Sequence, residues 1–159
     1  MRKRLRTAVV LAGSTLLLCA CGGGSGLLGG LGGKAANPQQ SRYESGLEHY
    51  KKQIDQRVLA TNRSAVSSDA PQPMLRSVVV VAFAVDGAGR LLNASVYRTN
   101  GDDEVERTAL NSLRRAAPLP PPPPELLDRS GRVELMESWL FNTDGRFQLR
   151  SLAAAQRED

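Results

Sequence analysis

From Ser77 to Val85 the chain runs through Val78, Val79, Val80, Val81, Ala82, Phe83 and Ala84 with no charged side chain. So continuous a β-branched run predicts a strand. Val79, Val81, Phe83 and Val85 fall on one face and Val78, Val80, Ala82 and Ala84 on the other, so the expectation is a strand covered on both sides. Asp86, Gly87, Ala88 and Gly89 follow, and the two glycines accept positive φ at little cost. The chain therefore reverses and returns over residues 90 to 98 as a second strand, giving a hairpin with a loop longer than the two-residue minimum.

Asn100 and Gly101 break that strand, and Asp103 with Glu106 three residues on reads as a capping box opening a helix. Val105, Ala109, Leu113 and Ala116 or Ala117 recur at helical spacing and supply one apolar stripe to lie on the hairpin. The helix must stop at Ala117, because Pro118 disfavours helical geometry before it and Pro120 to Pro124 admit none. Beyond the prolines, residues 132 to 141 form a third apolar run with Val133, Leu135, Trp139 and Phe141 on one face. Glu137 violates that face, so a bulge or an exposed end is expected there instead of a buried charge. A turn at Asn142, Thr143, Asp144 and Gly145 leads to residues 146 to 152, a candidate fourth strand.

In order and spacing these pieces resemble the C-terminal domain of the TonB and TolA family. The resemblance rests on Phe83-x-Val85-Asp86-x-x-Gly89, then Gly101 with Val105-Glu106-x-x-Ala109-Leu110, then Ala117-Pro118-Leu119-Pro120, and it covers residues 41 to 142. It implies an α+β fold in the order helix, strand, strand, helix, strand and candidate further strand, with two helices packed on a small antiparallel sheet of three to four strands. It also implies recognition of partners by strand addition, with main-chain hydrogen bonds along an exposed edge. The implied partner-binding edge is the strand of Val133, Leu135, Trp139 and Phe141, unless residues 146 to 152 cover it.

Towards the start of the domain, Ser41 with Glu44 reads as another capping box, and Tyr43, Leu47, Tyr50, Ile54 and Val58 form an apolar stripe at intervals of four, three, four and four. Glu48 with Lys52, and Lys51 with Asp55, are i,i+4 charge pairs that make the opposite face read as solvated. Gly46 within this helix costs about 1 kcal/mol against alanine. His49 reads as a surface or half-buried helix residue. Residues 62 to 73, rich in serine and proline, read as a loop.

At the N-terminus, Arg2, Lys3, Arg4 and Arg6 precede an apolar stretch from Thr7 to Leu18 that is too short to span a bilayer core of about 30 Å. Leu18-Cys19-Ala20-Cys21 resembles the lipobox of bacterial lipoproteins, which implies cleavage before Cys21 and its lipidation. Two other readings are open: an ordinary secretory signal in which both cysteines are small apolar residues, or a CxC metal pair, which would need more ligands than one histidine supplies. Residues 1–20 are thus expected to be a lipoprotein signal peptide, 21–40 a lipidated glycine-rich tether reaching roughly 25 Å, 41–152 the domain, and 153–159 a disordered tail. Gly22 after the lipidated cysteine resembles the outer-membrane sorting pattern of enteric bacteria.

The formal charge of +5 owes much to the signal segment. Removing its four basic residues from the total of 21 leaves near balance with 16 acidic ones, so nucleic acid is not an expected partner. With one histidine and no free thiol after processing, the common nucleophile and base arrangements are missing, and the chain reads as no enzyme, with no cofactor and no small-molecule substrate. Asp86, Asp102, Asp103, Glu104 and Glu106 read as turn and cap residues in preference to a cation site. Gly87-Ala88-Gly89 reads as a hairpin turn in preference to a phosphate loop, and Pro120 to Pro124 as a stiff connector in preference to a polyproline ligand. The expected function is a lipid-anchored periplasmic module that binds an envelope protein. The alternative is a TonB-type energy transducer, which needs an uncleaved membrane helix and a long spacer.

Overall fold

The computed structural model describes residues 37–68 and 72–153, so the expected signal peptide, residues 21–36 of the expected tether with Cys21, and the expected tail beyond residue 153 lie outside the described residues, whereas residues 38–40 of that tether belong to the first helix. α1 spans Pro38–Thr61. It begins before Ser41, because the Asn37 side chain caps it by accepting from the Gln39 N–H at 3.1 Å and Pro38 takes the first turn, where no N–H is needed. Tyr50, Ile54 and Val58 of the expected stripe are buried, Leu47 packs beside them, and Tyr43 is left in solvent. His49 is exposed.

β1 (Ser77–Asp86) and β2 (Leu91–Arg98) form the expected hairpin. The Asp86 carboxylate organises the turn by accepting from the N–H groups of Ala88 and Arg90, and Gly89 adopts φ 81°. α2 (Asp103–Ala116) is capped by Asp102, one residue before the expected Asp103. The Asp102 carboxylate accepts from Glu104 and Val105 N–H groups, and the Glu106 N–H goes to the Asp102 carbonyl, so no Asp-x-x-Glu box forms. Arg76, just before β1, holds Asp102 with Nε 2.8 Å from Oδ2 and reaches Glu104 at 2.7 Å, pinning the helix start to the strand start.

After α2 the chain crosses a cis Ala117–Pro118 bond, and the proline segment lies against the hairpin turn. The Leu119 N–H donates to the Gly89 carbonyl at 2.9 Å, and Tyr50 Oη donates to the Pro120 carbonyl at 2.8 Å. A Cβ on Gly89 would lie 2.1 Å from the Leu119 oxygen, so glycine is required there for packing as well as for φ. The prolines are the expected connector, clamped at both sides.

β3 (Arg132–Phe141) returns to pair with β1 along its whole length, and β4 (Phe147–Leu149) adds to β3. The sheet is antiparallel in the order β2-β1-β3-β4. With two helices and four strands it is the expected α+β fold. Both helices lie on one face, over Val79, Val81, Phe83 and Val85 of β1, Val133, Leu135, Trp139 and Phe141 of β3, and Phe147 and Leu149 of β4. Ala109 and Leu113 of α2 complete the core with Phe83 and Val81, and Val96 packs at its margin. Inside it the Trp139 indole N–H donates to Ser112 Oγ at 2.9 Å, and Asn62 Nδ2 donates to the Ser112 carbonyl at 3.0 Å.

Beyond the two helix starts, three further expectations change. β1 is not covered on both sides along its length among the described residues: Val78 is exposed, Val80 and Ala82 are half-buried and Ala84 alone of that face is buried, because both helices sit on the opposite face. Glu137 makes neither a bulge nor an exposed end. The β1–β3 register runs unbroken through Val81↔Glu137, and the side chain is buried under α1. The face of α1 bearing Lys51 and Asp55 is not solvated either, since it turns towards β3 and Asp55 is buried.

Gly46 has no such packing role. A Cβ there would meet only Leu126 Cδ2, at an ordinary 3.7 Å. Gly46→Ala should therefore stabilise the domain by about 1 kcal/mol through helix propensity alone, read as a higher denaturant midpoint at unchanged m. A lower midpoint would show that this turn of α1 is not helical.

Candidate interaction edge

Alternate residues of a strand aim their peptide groups at opposite neighbours. In β3 the direction is fixed by bonds at both ends. Arg150 N–H donates to the Ser138 carbonyl and Asp128 N–H to the Arg132 carbonyl, so Arg132, Glu134, Met136 and Ser138 face away from β1. Arg132 is satisfied by the Asp128 turn, whose carboxylate also accepts the Arg132 N–H. β4 covers only Trp139, Leu140 and Phe141. Between these closures the outward N–H and C=O groups of Glu134 and Met136 meet no strand among the described residues. They form an open window about 20 Å long, from Arg132 to Ser138, at the usual rise of about 3.3 Å per residue.

The four residues expected to mark this edge lie in β3 itself but do not present its open side. Val133, Leu135, Trp139 and Phe141 are buried, and by the same alternation their backbones face β1. They hold the strand in place, and the residues between them present its edge. The candidate fourth strand forms only over Phe147–Leu149, because the chain then turns, Leu152 and Ala153 both donating to the Leu149 carbonyl. Beside β4, Val66 bridges Phe147 and the Ser67 N–H donates to the Phe147 carbonyl at 2.9 Å. The opposite sheet edge, β2, is irregular, with register shifts at Val80/Val81 and Ala84/Val85 that twist it away from a flat pairing surface.

Where the window ends, Glu137 closes it. Its Oε1 accepts the Ser138 N–H at 2.8 Å, occupying a donor that would otherwise face outward. Its Oε2 lies 3.3 Å from Lys51 Nζ yet accepts no hydrogen bond, and Lys51 is also 4.0 Å from Glu48 Oε1. Asp55, one turn further along α1, is 1% exposed and accepts from the Ser151 hydroxyl. Burial first, and the Glu137 charge second, push the Asp55 carboxyl up to about 7, against the pull of Ser151 and Lys51. In sequence only Glu137 stands out, through its broken alternation, whereas Asp55 reads as paired with Lys51 on a wet face.

The other acidic residues do what the sequence suggests. Asp86 and Asp102 sit in turn and cap bonds that hold their carboxyls below the ordinary value: the Arg90 N–H is the leading cause at Asp86, while at Asp102 the Arg76 and cap bonds outweigh partial burial. Among the described residues no group of three or more His, Cys, Asp or Glu side chains could hold a metal, and no helix is long and apolar enough to cross a membrane.

The sequence profile described as TonB C terminal matches residues 47–135, from the third turn of α1 into β3. The chain belongs to the TonB C-terminal family. It is 31% identical over 78 residues to Protein TonB of Pseudomonas putida, a stretch covering 49% of this chain and 32% of that protein. The chain thus spans about a third of the curated relative it matches. No solved structure gives a significant match. The family match ends inside the open window, so β4 and the turn that shorten the edge lie beyond it.

Asp55 gives the domain a measurable pH signature. Its folded value lies above the unfolded 3.8, so the folded state holds a proton between about pH 4 and 7 that the unfolded chain has released. Stability is greatest on the acid side of this window and declines as pH rises through 7. Asp86, Asp102, Asp128 and Asp144 are lowered and act in the opposite sense, below the ordinary carboxylate range. From pH 5 to 8 the domain should lose about 2 to 3 kcal/mol. Asp55→Asn should flatten that loss and melt higher than the parent at pH 8; equal slopes in the two proteins would place the titration elsewhere.

Proposed function

We propose that the chain is a lipid-anchored periplasmic interaction module that binds an extended segment of an envelope protein by strand addition to β3. The observation that carries this reading is the window at Glu134 and Met136, where four peptide groups face outward on a strand held rigidly from behind. Backbone bonding supplies affinity in such binding, and the neighbouring side chains choose the register. Family membership supports a protein-interaction role, and the likeness to Protein TonB supports a link to TonB-type transport across the outer membrane.

Anchoring rests on the Leu18-Cys19-Ala20-Cys21 motif, with the tether running from Cys21 to the cap of α1 at Asn37 and the outer membrane as the favoured site. The second reading, a TonB-like energy transducer for outer-membrane receptors, is favoured by the likeness to Protein TonB. The N-terminus separates the two readings. Mass spectrometry of the membrane fraction should find a mature chain beginning at acylated Cys21; a peptide retaining Met1 would favour the transducer.

Proline tests the edge directly. Met136 directs its N–H outward, so Met136→Pro removes an edge donor and leaves the β1–β3 ladder intact. Leu135→Pro removes a ladder donor and should unfold the sheet. Met136→Pro is expected to lower capture of the partner from cross-linked envelopes at least about tenfold, with circular dichroism close to the parent. Full capture by a folded Met136→Pro protein would rule out strand addition at β3.

A further inference from the structure

Beside the open window lies a cleft of about 390 Å³ between α1 and the β3 edge, lined by Glu48, Lys51, Met136, Glu137, Arg150 and Ser151. It lies in line with β4, where the chain turns aside after Leu149 and leaves the rest of the β3 edge unoccupied. An added strand would run through this gap, with alternate side chains turned towards α1. We propose that the cleft is a pocket for one lysine or arginine side chain of the incoming segment, and that this contact sets the register of the added strand. The inference rests on the strand-addition reading and names what that strand must carry.

Charge and burial select the occupant. Glu48 and Glu137 share a single ammonium, Lys51, and Asp55 stands behind them. Arg150 is exposed and forms no ion pair among the described residues, which leaves the deeper carboxylates with Lys51 as their one paired cation there. Glu137 is 4% exposed at its side chain, and its Oε2 is buried without a hydrogen bond. A buried carboxylate oxygen in that state gains from a donor that brings positive charge, and a guanidinium or ammonium supplies both. An acidic side chain entering the same cleft would add a fourth carboxylate, and an apolar one would leave Oε2 as it is. Glu137 also holds the Ser138 N–H, so drawing its carboxylate to an incoming cation frees one more edge donor for the added strand. Side-chain and backbone recognition are thereby coupled at one residue.

The test pans random linear heptapeptides on phage against the full chain, then measures synthetic copies of the recovered peptides. The expected peptides carry Lys or Arg at one fixed position, bind Met136→Pro at least about tenfold more weakly, and lose about tenfold on Glu137→Gln. Exchange of that basic residue for norleucine should cost a similar factor in the parent and nothing further in Glu137→Gln. Glu48→Gln, on an exposed part of α1, should weaken the basic peptides by a smaller factor without risk to the fold. Peptides that depend on the Met136 edge but show no basic preference would overturn the pocket and leave strand addition standing. Recovery of no peptide sensitive to Met136→Pro would overturn both.

Discussion

The unbroken pairing of β1 with β3 is the constraint on which the rest of the domain depends. Residues far apart in sequence meet in register from Ser77↔Phe141 to Asp86↔Arg132, so closing the loop between them is the main entropic cost of this sheet. That cost is offset by burial on one face, where Val79, Val81, Phe83 and Val85 meet Val133, Leu135, Trp139 and Phe141 under both helices. The intervening chain is kept short of wandering by specific ties. Arg76 fixes the start of α2, the Leu119 N–H fixes its end to the Gly89 turn, and Tyr50 holds the proline segment to α1. With β1 central, β2 and β4 become the outer strands, and β4 is too short to cover β3.

Local chemistry was legible wherever a residue type permits few geometries. The Asp86 to Gly89 turn, the proline brake after Ala117 and the Asn142 to Gly145 turn could be read directly because glycine, proline and aspartate restrict the backbone at those points. The two helix starts were misplaced for a common reason. Asn37-Pro38 and Asp102 are better caps than Ser41 and Asp103, but a capping box is more conspicuous in sequence than a single capping residue. The covering of β1 could not be read at all. Val78 and Val80 are as apolar as Val79 and Val81, and only the placement of both helices on one side decides which pair meets solvent.

The edge was half legible for a related reason. Strand β3 could be recognised from its alternation, but which of its peptide groups face outward depends on which residues pair with β1, and that is a long-range fact. The apolar character of Val133, Leu135, Trp139 and Phe141 marks the strand and places their side chains in the core, while the register with β1 turns their peptide groups inward. The outward set, Glu134 and Met136, looks unremarkable in sequence because an edge strand's wet side carries ordinary polar and flexible residues.

Glu137 ties these points together. Its alternation places it among Leu135, Trp139 and the helix α1, where an apolar residue of similar size would pack without desolvating a charge. The carboxylate is retained at the one point where the β3 edge passes from covered to open, with its two oxygens divided between the Ser138 N–H and Lys51. A buried ion pair of this kind is weak as a source of stability, and the second carboxylate at Asp55 makes it weaker still, since one ammonium cannot neutralise both. What the arrangement does provide is a defined end to the window. It satisfies the last edge donor internally, and it keeps a carboxylate oxygen that is ion-paired but not hydrogen-bonded beside the open part of the edge. The stability given up at Glu137 and Asp55 is thus local to the edge that recognition would use, while the apolar face behind it holds the strand straight.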